Sequence, residues 1–254
     1  MIVIKTKDRA IDIMTVLSDE QIIKKYFREI GGFPSTKIVH ELSEYDGSKH
    51  VCIACTQLNG KEVNMLFPGM RTYSERDKKR ILREWIEFLS ANTKALKALH
   101  FNSRVSQVLF DAACCQEELE ELRFKWGVYS NLSALENLHK LRYLYIGQGS
   151  SVRNIKILGL LKNLVVLHLD AFKRIDDYSP LITLDNLEQL VINGPTLGLT
   201  PIKDLDFLRN MPNLRSISLS NVNIIKKYTD KELAELRTAV PNLYDINNCI
   251  FGTK

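Results

Sequence analysis

The sequence predicts an α/β solenoid, a horseshoe of about seven short parallel strands preceded by a small α+β domain. Three observations lead to this prediction. A phrase of the form L-x-x-L-x-L, with Ile or Phe allowed, recurs seven times. Its last apolar residues alternate as they do in a strand, and the segments that follow change to an apolar period of three, which suits 3₁₀ turns. Each unit alone would leave its apolar side chains in water, so neighbouring units must stack to bury them.

The seven copies are closely spaced and similar in length. Successive starts lie 23, 22, 23, 23, 27 and 29 residues apart, and the last copy breaks down at Asn248. Over residues 95–254, the period and the leucine phrase resemble those of the leucine-rich repeat family. The copies start at Leu96, Leu119, Leu141, Leu164, Leu187, Leu214 and Leu243.

The resemblance implies a curved sheet with its strands on the concave side and bulkier segments on the convex side. The shorter units look internalin-like. The longest interval contains the helical pattern of residues 230–240 and looks like the ribonuclease-inhibitor type. The asparagine that the family places three residues after the third leucine is absent, so we expect backbone groups or water to satisfy the turn amides.

Residues 1–94 do not repeat and are predicted to form a separate α+β domain that caps the open end of the repeats. Strands are predicted at residues 1–6, 37–42, 51–58 and 63–67, and helices at residues 21–30 and 74–90. The dipeptides Asp46-Gly47 and Asn59-Gly60 are hairpin signals, so the last three strands are predicted to form a meander. An independent binding or enzymatic domain is the alternative.

Composition narrows the functional class. The net charge of +5 is mild, so we do not expect a nucleic-acid partner. The sequence contains no apolar run of the ~18–20 residues that span a bilayer, and its amino-terminal residues do not resemble a secretory signal. Five cysteines, an odd number, form a poor disulfide framework. We therefore expect a cytoplasmic protein with reduced thiols and no membrane contact.

Three motifs could carry chemistry, and each has a simpler explanation. Cys52 and Cys55 have metal-site or redox spacing, but strand residues three apart face opposite sides, which favours buried free thiols. The glycines of residues 147–151 occupy the turn after a strand rather than a phosphate loop. The basic residues of 76–83 lie on the solvated side of a predicted helix. Because no catalytic signature is present, we expect no enzymatic activity, metal or cofactor.

The outward-pointing side chains of the repeats give the functional prediction, a protein-interaction scaffold that binds another protein on its concave face. Aromatic residues and arginine gather there, and these residue types anchor interfaces. Two alternatives stay open: an inhibitory or regulatory subunit of the toxin-immunity or phosphatase-regulating kind, and an enzyme in residues 1–94 built on His40, Glu41, His50 or Cys52. Aromatic residues also simply favour strands. The predicted partner-binding residues are Arg123, Trp126, Tyr143, Tyr145, His168 and Asp170.

Overall fold

A computed structural model describes residues 38–55, 73–245 and 250–251 of the 254-residue chain. Its main feature is a nine-stranded sheet in which every pair of neighbours is parallel. The strands follow chain order: β1 (Ile38–Val39), β2 (His50–Ile53), β3 (Ala98–Ser106), β4 (Glu121–Val128), β5 (Tyr143–Ile146), β6 (Val166–Asp170), β7 (Gln189–Asn193), β9 (Ser216–Ser220) and β11 (Tyr244–Asp245). A second, two-stranded parallel sheet pairs β8 (Thr200–Ile202) with β10 (Val222–Ile224).

The leucine phrases supply the strands and the core, as predicted. Each of the seven copies contributes one strand, from β3 to β11. The second leucines of the middle copies stand in register, with Leu122 opposite Leu144, Leu144 opposite Leu167 and Leu167 opposite Leu190. All four are fully buried in one continuous hydrophobic core. Stacking therefore buries what each unit alone would expose.

The segments between strands are mostly short 3₁₀ helices, as the period of three predicts. They span Ser133–Asn137, Gly149–Ser151, Lys156–Leu160, Ser179–Thr183 and Asp206–Asn210. The predicted helix in the last interval is also confirmed, at Asp230–Ala239. Thr229 and Glu232 form a capping box that satisfies its first amides. One short helix was not predicted, Gln107–Ala113, which follows β3. We number the helices of the described residues in chain order, with this one as α2 and Asp230–Ala239 as α3.

Helix α1, Glu75–Ala91, confirms the helix predicted at residues 74–90. Ser74 caps its first turn by accepting a hydrogen bond from the amide of Asp77. Its buried face carries Ile81, Trp85 and Leu89, which join the core of the repeats. The buried side chain of Gln116 ties the helix end to the first repeat, because its amide donates to the carbonyl of Leu89 and its oxygen accepts from the amide of Leu96.

The predicted meander in the amino-terminal third is wrong where the structure describes it. β1 and β2 are parallel, and β2 continues the sheet of the repeats, with Val51 opposite Leu99 and Ile53 opposite Phe101. The chain between them passes through a 3₁₀ turn at Leu42–Glu44 and returns to the same end of the sheet. A hairpin would reverse the strand direction, whereas this crossover repeats the geometry of the leucine units.

The boundary predicted between residues 94 and 95 stays a prediction, although the sheet runs across it. The strands predicted at residues 1–6 and 63–67, the helix at 21–30 and the Asn59-Gly60 turn lie outside the described residues. Within the described ranges, no helix has both the length and the apolar character that a membrane span requires.

A row of asparagines lies at the amino-terminal ends of the strands. The residue directly before the first leucine is asparagine in four copies, and the side-chain amides of Asn163, Asn186 and Asn213 each donate to a carbonyl of the preceding unit. Asn163 donates to His139, Asn186 to Lys162 and Asn213 to Asp185, over 2.6, 2.9 and 2.7 Å. We call these three residues the asparagine ladder.

Backbone groups serve the turns at the carboxy-terminal ends of the strands. The amide of Gly147 donates to the carbonyl of Phe124, and the hydroxyl of Tyr129 donates to the carbonyl of Gly147. A Cβ on Gly147 would lie 1.9 Å from the carbonyl oxygen of Lys125, so only glycine fits this close approach. The expectation that backbone groups satisfy these turn amides is confirmed at Gly147.

Candidate partner-binding face

The nine-stranded sheet has a second side, which we call the outward face because its side chains point away from the leucine core. One row crosses its centre in register: Arg123 lies opposite Tyr145, and Tyr145 opposite His168. Tyr143 and Tyr145 pack with Val165 and Val166 in a cluster separate from the main core. The period of two therefore places aromatic and charged side chains together on one side of the sheet.

Asp170, at the end of β6, is the centre of a hydrogen-bond network on this face. The hydroxyl of Tyr145 donates to Asp170 Oδ2 over 2.5 Å. The imidazole Nε2 of His168 lies 2.8 Å from Asp170 Oδ1 and 2.8 Å from the side-chain nitrogen of Asn193. These four side chains come from three neighbouring strands, so the network fixes their positions relative to one another. We call Tyr145, His168, Asp170 and Asn193 the outward network.

The electrostatics of the network keep its carboxylate charged. Burial tends to raise the pKa of the Asp170 carboxyl, but hydrogen bonds from His168, Tyr145 and Asn193 hold that pKa below its ordinary value. Burial raises the pKa of the Tyr145 hydroxyl, and the neighbouring Asp170 charge raises it further. At neutral pH the tyrosine is therefore a neutral donor and the aspartate a charged acceptor.

Positively charged and aromatic side chains lie beside the network along β4 and β5. We call Arg123, Lys125 and the outward network together the stripe. The guanidinium carbon of Arg123 lies 4.9 Å from the centre of the Tyr145 ring, and that ring meets the His168 ring edge-on at 4.4 Å. Lys125 Nζ lies 5.2 Å from the centre of the Trp126 ring. Cations at these distances are attracted to the ring faces. The stripe thus combines positive charge, aromatic surface and one fixed carboxylate.

Equivalent residues of successive repeats lie opposite one another in rows, and this stacking identifies the fold. Each phrase gives one strand, and the strands stack in parallel and in chain order. The fold is that of a leucine-rich repeat protein. Within that fold the outward face is the strand-side face of the solenoid.

Comparison with known proteins adds similarities of fold only. No family profile matches the sequence, and no curated protein matches it. Among solved structures, an internalin (InlF) from Listeria monocytogenes is 24% identical with a TM-score of 0.48, over 60% of this chain and 41% of that chain. Internalin C2 of the same species is 20% identical with a TM-score of 0.44, over 60% and 61%. A leucine-rich repeat protein of Leptospira interrogans is 17% identical with a TM-score of 0.43, over 60% and 49%.

The structure brings four of the six predicted site residues together. Tyr145, His168 and Asp170 form the outward network, and Arg123 covers the Tyr145 ring. Trp126 lies apart from these four residues. It is opposite Arg104 near the carboxy-terminal end of β4, and it alternates along the strand with Arg123. Its ring contacts the stripe only at Lys125, whose ammonium nitrogen lies 5.2 Å from the ring centre.

Three predicted site residues are largely buried in the sheet, although residues that contact a partner directly should be exposed in the free protein. Tyr143, Tyr145 and His168 are only 1%, 8% and 5% exposed. Tyr143 lies between Glu121 and Val166 in the register, and large side chains on strands less than 5 Å apart cover one another. Tyr143 is therefore corrected from a contact residue to a buried support, and the half-buried Arg123, Trp126 and Asp170 form the accessible part.

Asn193 belongs to the outward network, although it was not among the predicted site residues. The repeat alignment contains the signal for it, since Asn193 occupies the place in β7 that Asp170 occupies in β6, and the two stand opposite each other. Equivalent positions of adjacent repeats are neighbours in space. An alignment of the repeats with one another would have predicted that Asn193 lies beside Asp170.

The two cysteines of the C-x-x-C motif lie on opposite sides of the sheet, as predicted. Cys52 stands opposite His100 on the outward side, whereas Cys55 lies in the core beside the hydroxyl of Ser103. Burial raises the pKa of each thiol to about 11, which keeps both protonated at neutral pH. Among the described residues, no three His, Cys, Asp or Glu side chains are grouped to hold a metal ion.

The residues of the enzymatic alternative have separate roles. The His40 ring lies 3.0 Å from the carbonyl oxygen of Ala54, and Glu41 accepts a hydrogen bond from Arg80 on α1. His50 is exposed at the start of β2, and Cys52 is buried.

Proposed function

We propose that this protein is an interaction scaffold that binds a partner protein on the outward face, the concave side of a leucine-rich repeat horseshoe. The outward network carries the proposal. It places a charged carboxylate, a tyrosine and a histidine in fixed positions on the side of the sheet opposite the core. Preorganised groups bind at lower entropic cost than mobile ones.

The accessible residues have the composition of a binding hot spot. Arg123, Trp126 and Asp170 are half-buried, and Arg and Trp are among the residue types that contribute most to interface energies. In this proposal these three contact the partner, while Tyr143, Tyr145 and His168 support them from beneath. A carboxylate beside an arginine also selects a partner with complementary charges.

The proposal includes a reducing, cytoplasmic compartment. Its support is that Cys52, Cys55, Cys114 and Cys115 are all free thiols, as expected of a protein kept reduced. The inhibitory or regulatory subunit is a special case of the same binding function. No geometry among the described residues favours the enzymatic alternative.

The test is a titration of the co-purifying partner by calorimetry. Arg123→Glu reverses a charge on the outward face, and Arg153→Glu makes the same change on the convex side, where Arg153 is exposed. We expect Arg123→Glu to weaken binding at least tenfold and Arg153→Glu to leave it unchanged. Equal affinities for the two variants would contradict the proposal.

A further inference from the structure

Asn193 of the outward network directly precedes Gly194, and this dipeptide has a reactivity of its own. In an Asn-Gly sequence the backbone nitrogen of the glycine can attack the side-chain carbonyl carbon of the asparagine, because glycine has no side chain to hinder the approach. The sequence contains two such dipeptides, Asn59-Gly60 and Asn193-Gly194. The second begins at the last residue of β7, within the described part of the chain.

The structure needs both residues of this dipeptide. Asn193 lies opposite Asp170 in the register of the sheet and belongs to the outward network. A Cβ on Gly194 would lie 1.8 Å from the carbonyl oxygen of Asn221, so only glycine fits this close approach. A different residue at either position would therefore disrupt the network or the turn, and the reactive sequence follows from the fold.

The reaction of such a dipeptide converts the asparagine into an acid in two steps. The nitrogen of Gly194 forms a bond to Cγ of Asn193, the bond between Cγ and Nδ2 breaks, and Nδ2 leaves as ammonia with the proton that the glycine nitrogen gives up. Water then opens the five-membered succinimide at either of its two carbonyl groups. The products are aspartate and isoaspartate, and water is the only co-reactant.

Hydrogen bonds on both sides hold the peptide unit between Asn193 and Gly194. Its carbonyl oxygen accepts from the amide of Ala171 over 2.7 Å, and its N–H donates to the carbonyl of Ser220 over 2.6 Å. The attack requires this unit to rotate until the nitrogen meets Cγ, and the rotation breaks both bonds. The reactive geometry is therefore reached only when the end of β7 opens locally, which is unfavourable while these bonds are intact.

The outward network holds the second reacting group, the side chain of Asn193. Its nitrogen lies 2.8 Å from His168 Nε2, and the side chain also donates a hydrogen bond to the carboxylate of Asp170. Tyr145 donates to Asp170 Oδ2 and so keeps the acceptor in place. Because the same asparagine nitrogen must leave as ammonia, these contacts have to break before the reaction is complete.

Conversion would place a second carboxylate in the network. Residue 193 lies opposite Asp170, and like charges directly opposite each other on neighbouring strands destabilise a sheet. Aspartate at this position also lacks the amide that donates to Asp170. Isoaspartate lengthens the backbone of β7 by one carbon atom, which disturbs its register with both neighbours. Either product therefore breaks the outward network.

We propose that Asn193 is a deamidation site whose rate the outward network controls, and whose conversion inactivates the outward face. In the folded chain, the network and the two strand bonds protect the dipeptide. Once it has reacted, repulsion between the carboxylates at positions 170 and 193 prevents the network from forming again. The loss of partner binding rests on the proposed function, whereas the reaction and its rate do not.

The test follows both Asn-Gly dipeptides by peptide mapping and mass spectrometry while the full chain is incubated at pH 8, with and without urea. In urea, Asn59 and Asn193 should convert at similar rates, because both are then unprotected, and this rate is the reference. Without urea, Asn193 should convert at least tenfold more slowly than in urea. Equal rates at Asn193 in the folded and the unfolded chain would overturn the inference.

Two variants test the control by the network. Asp170→Ala removes the acceptor of the Asn193 amide and should raise the native rate at Asn193 at least tenfold, whereas Asp185→Ala, at an exposed position, should leave it unchanged. Tyr145→Phe removes only one donor to Asp170 and should raise the rate by a smaller factor, which keeps the test valid should the Asp170 variant not fold. Hydrogen exchange at the buried Leu167 verifies that each variant is folded.

The consequence is tested with Asn193→Asp, which reproduces one product. Its control is Asn154→Asp, which adds the same charge at an exposed position and retains the oxygen that accepts from the amide of Lys156. At pH 7, Asn193→Asp should shift the urea midpoint of unfolding to a lower concentration than Asn154→Asp does. It should also weaken the co-purifying partner at least tenfold, and Asn154→Asp should not.

Two further results would overturn the inference. One is a native rate at Asn193 that neither Asp170→Ala nor Tyr145→Phe changes, since the network would then have no influence on the reaction. The other is an Asn193→Asp chain with the urea midpoint of the wild type. A partner that binds Arg123→Glu as tightly as the wild type would instead contradict the proposed function, and the rates at Asn193 would still decide the deamidation site.

Discussion

Asp170 shows how one residue of the outward face acquires its properties from neighbours on other strands. It is half-buried, yet three side chains direct hydrogen bonds at it. Burial opposes its charge, and the bonds from His168, Tyr145 and Asn193 more than offset that effect. A carboxylate in this position stabilises the folded state only while it is ionised.

Changing Asp170 to Asn should therefore lower stability in a pH-dependent manner. The carboxyl has a lower pKa in the folded chain than in the unfolded chain. Its stabilisation is present above the unfolded pKa of about 4 and is lost as pH falls through the folded pKa. The difference between the unfolding free energies of wild type and Asp170→Asn should be largest at pH 7 and smaller at pH 3.

Denaturant unfolding at both pH values checks this expectation. The exposed Asp185 provides the control, because Asp185→Asn leaves the outward network intact. A difference between wild type and Asp170→Asn that stays the same from pH 7 to pH 3 would show that the carboxylate is not held in its charged form.

The cysteines give a second expectation at this scale. Burial raises the pKa of Cys52 and Cys55 to about 11, and Cys114 is fully buried. Only thiolates react readily, and only where reagents reach them. In the native protein at pH 8, iodoacetamide should leave these three unmodified while it labels the half-exposed Cys115 slowly. Mass spectrometry reads the result, and rapid native labelling of Cys52 would reopen a redox role.

At the scale of elements, side-chain and backbone hydrogen bonds join adjacent repeats. The asparagine ladder links the amino-terminal sides of adjacent units, and backbone bonds at Gly147 and Gly194 link the carboxy-terminal turns. Each side-chain bond to a neighbouring carbonyl adds to the nearest-neighbour coupling of the solenoid.

Replacing Asn186 with Ala should cost about 1 kcal/mol of unfolding free energy, the usual net worth of one hydrogen bond. Its side chain donates to the carbonyl of Lys162 in the preceding unit. The matched control is Asn210→Ala, at an exposed position in a 3₁₀ turn. Thermal or denaturant unfolding of the two variants compares them, and equal losses would mean that the ladder contributes nothing specific.

The strands and turns of the repeats were predictable because their signal is local and recurs. Alternation predicted β3 to β7 and β9, and the period of three predicted the 3₁₀ segments, whereas the small sheet of β8 and β10 was not predicted. The direction of β2 was not predictable in this way, since alternating residues such as Val51 and Ile53 suit parallel and antiparallel strands equally. The Asp46-Gly47 dipeptide favoured a hairpin, and pairing of β2 with β3 outweighed it.

The position of the candidate site residues on the sheet was predictable, but their degree of burial was not. Because side chains alternate between the two faces along each strand, the sequence placed Arg123, Tyr145 and His168 on one face and in one row. Their burial depends on the side chains of adjacent strands, which a single repeat does not contain. Asn193 shows the same limit, because its role follows from its neighbour Asp170 on the next strand.

At the scale of the whole molecule, sheet and core join the described parts of the amino-terminal third, residues 38–55 and 73–94, to the repeats. β2 pairs with β3, and α1 packs its buried face into the same core. A separate capping domain would instead unfold independently of the repeats. Continuity of sheet and core favours a single cooperative unit.

Ile53→Ala tests this continuity. Ile53 is fully buried opposite Phe101, so the change should cost about 2–5 kcal/mol of unfolding free energy, as for other core truncations. Hydrogen exchange should show the loss of protection in β3 and β4 as well as in β2. Loss confined to residues 38–55, with β3 and β4 unchanged, would indicate an independent domain.

Photo-crosslinking is the most direct test of the central claim that the outward face binds the partner. A benzoylphenylalanine at position 125, two residues from Arg123 on the same side of β4, samples that face, and the same residue at position 182, on the convex side, is the control. In the cell that makes the protein, we predict a crosslinked partner at position 125 that Arg123→Glu abolishes, and none at position 182. A partner captured at position 182 and not at position 125 would contradict the account.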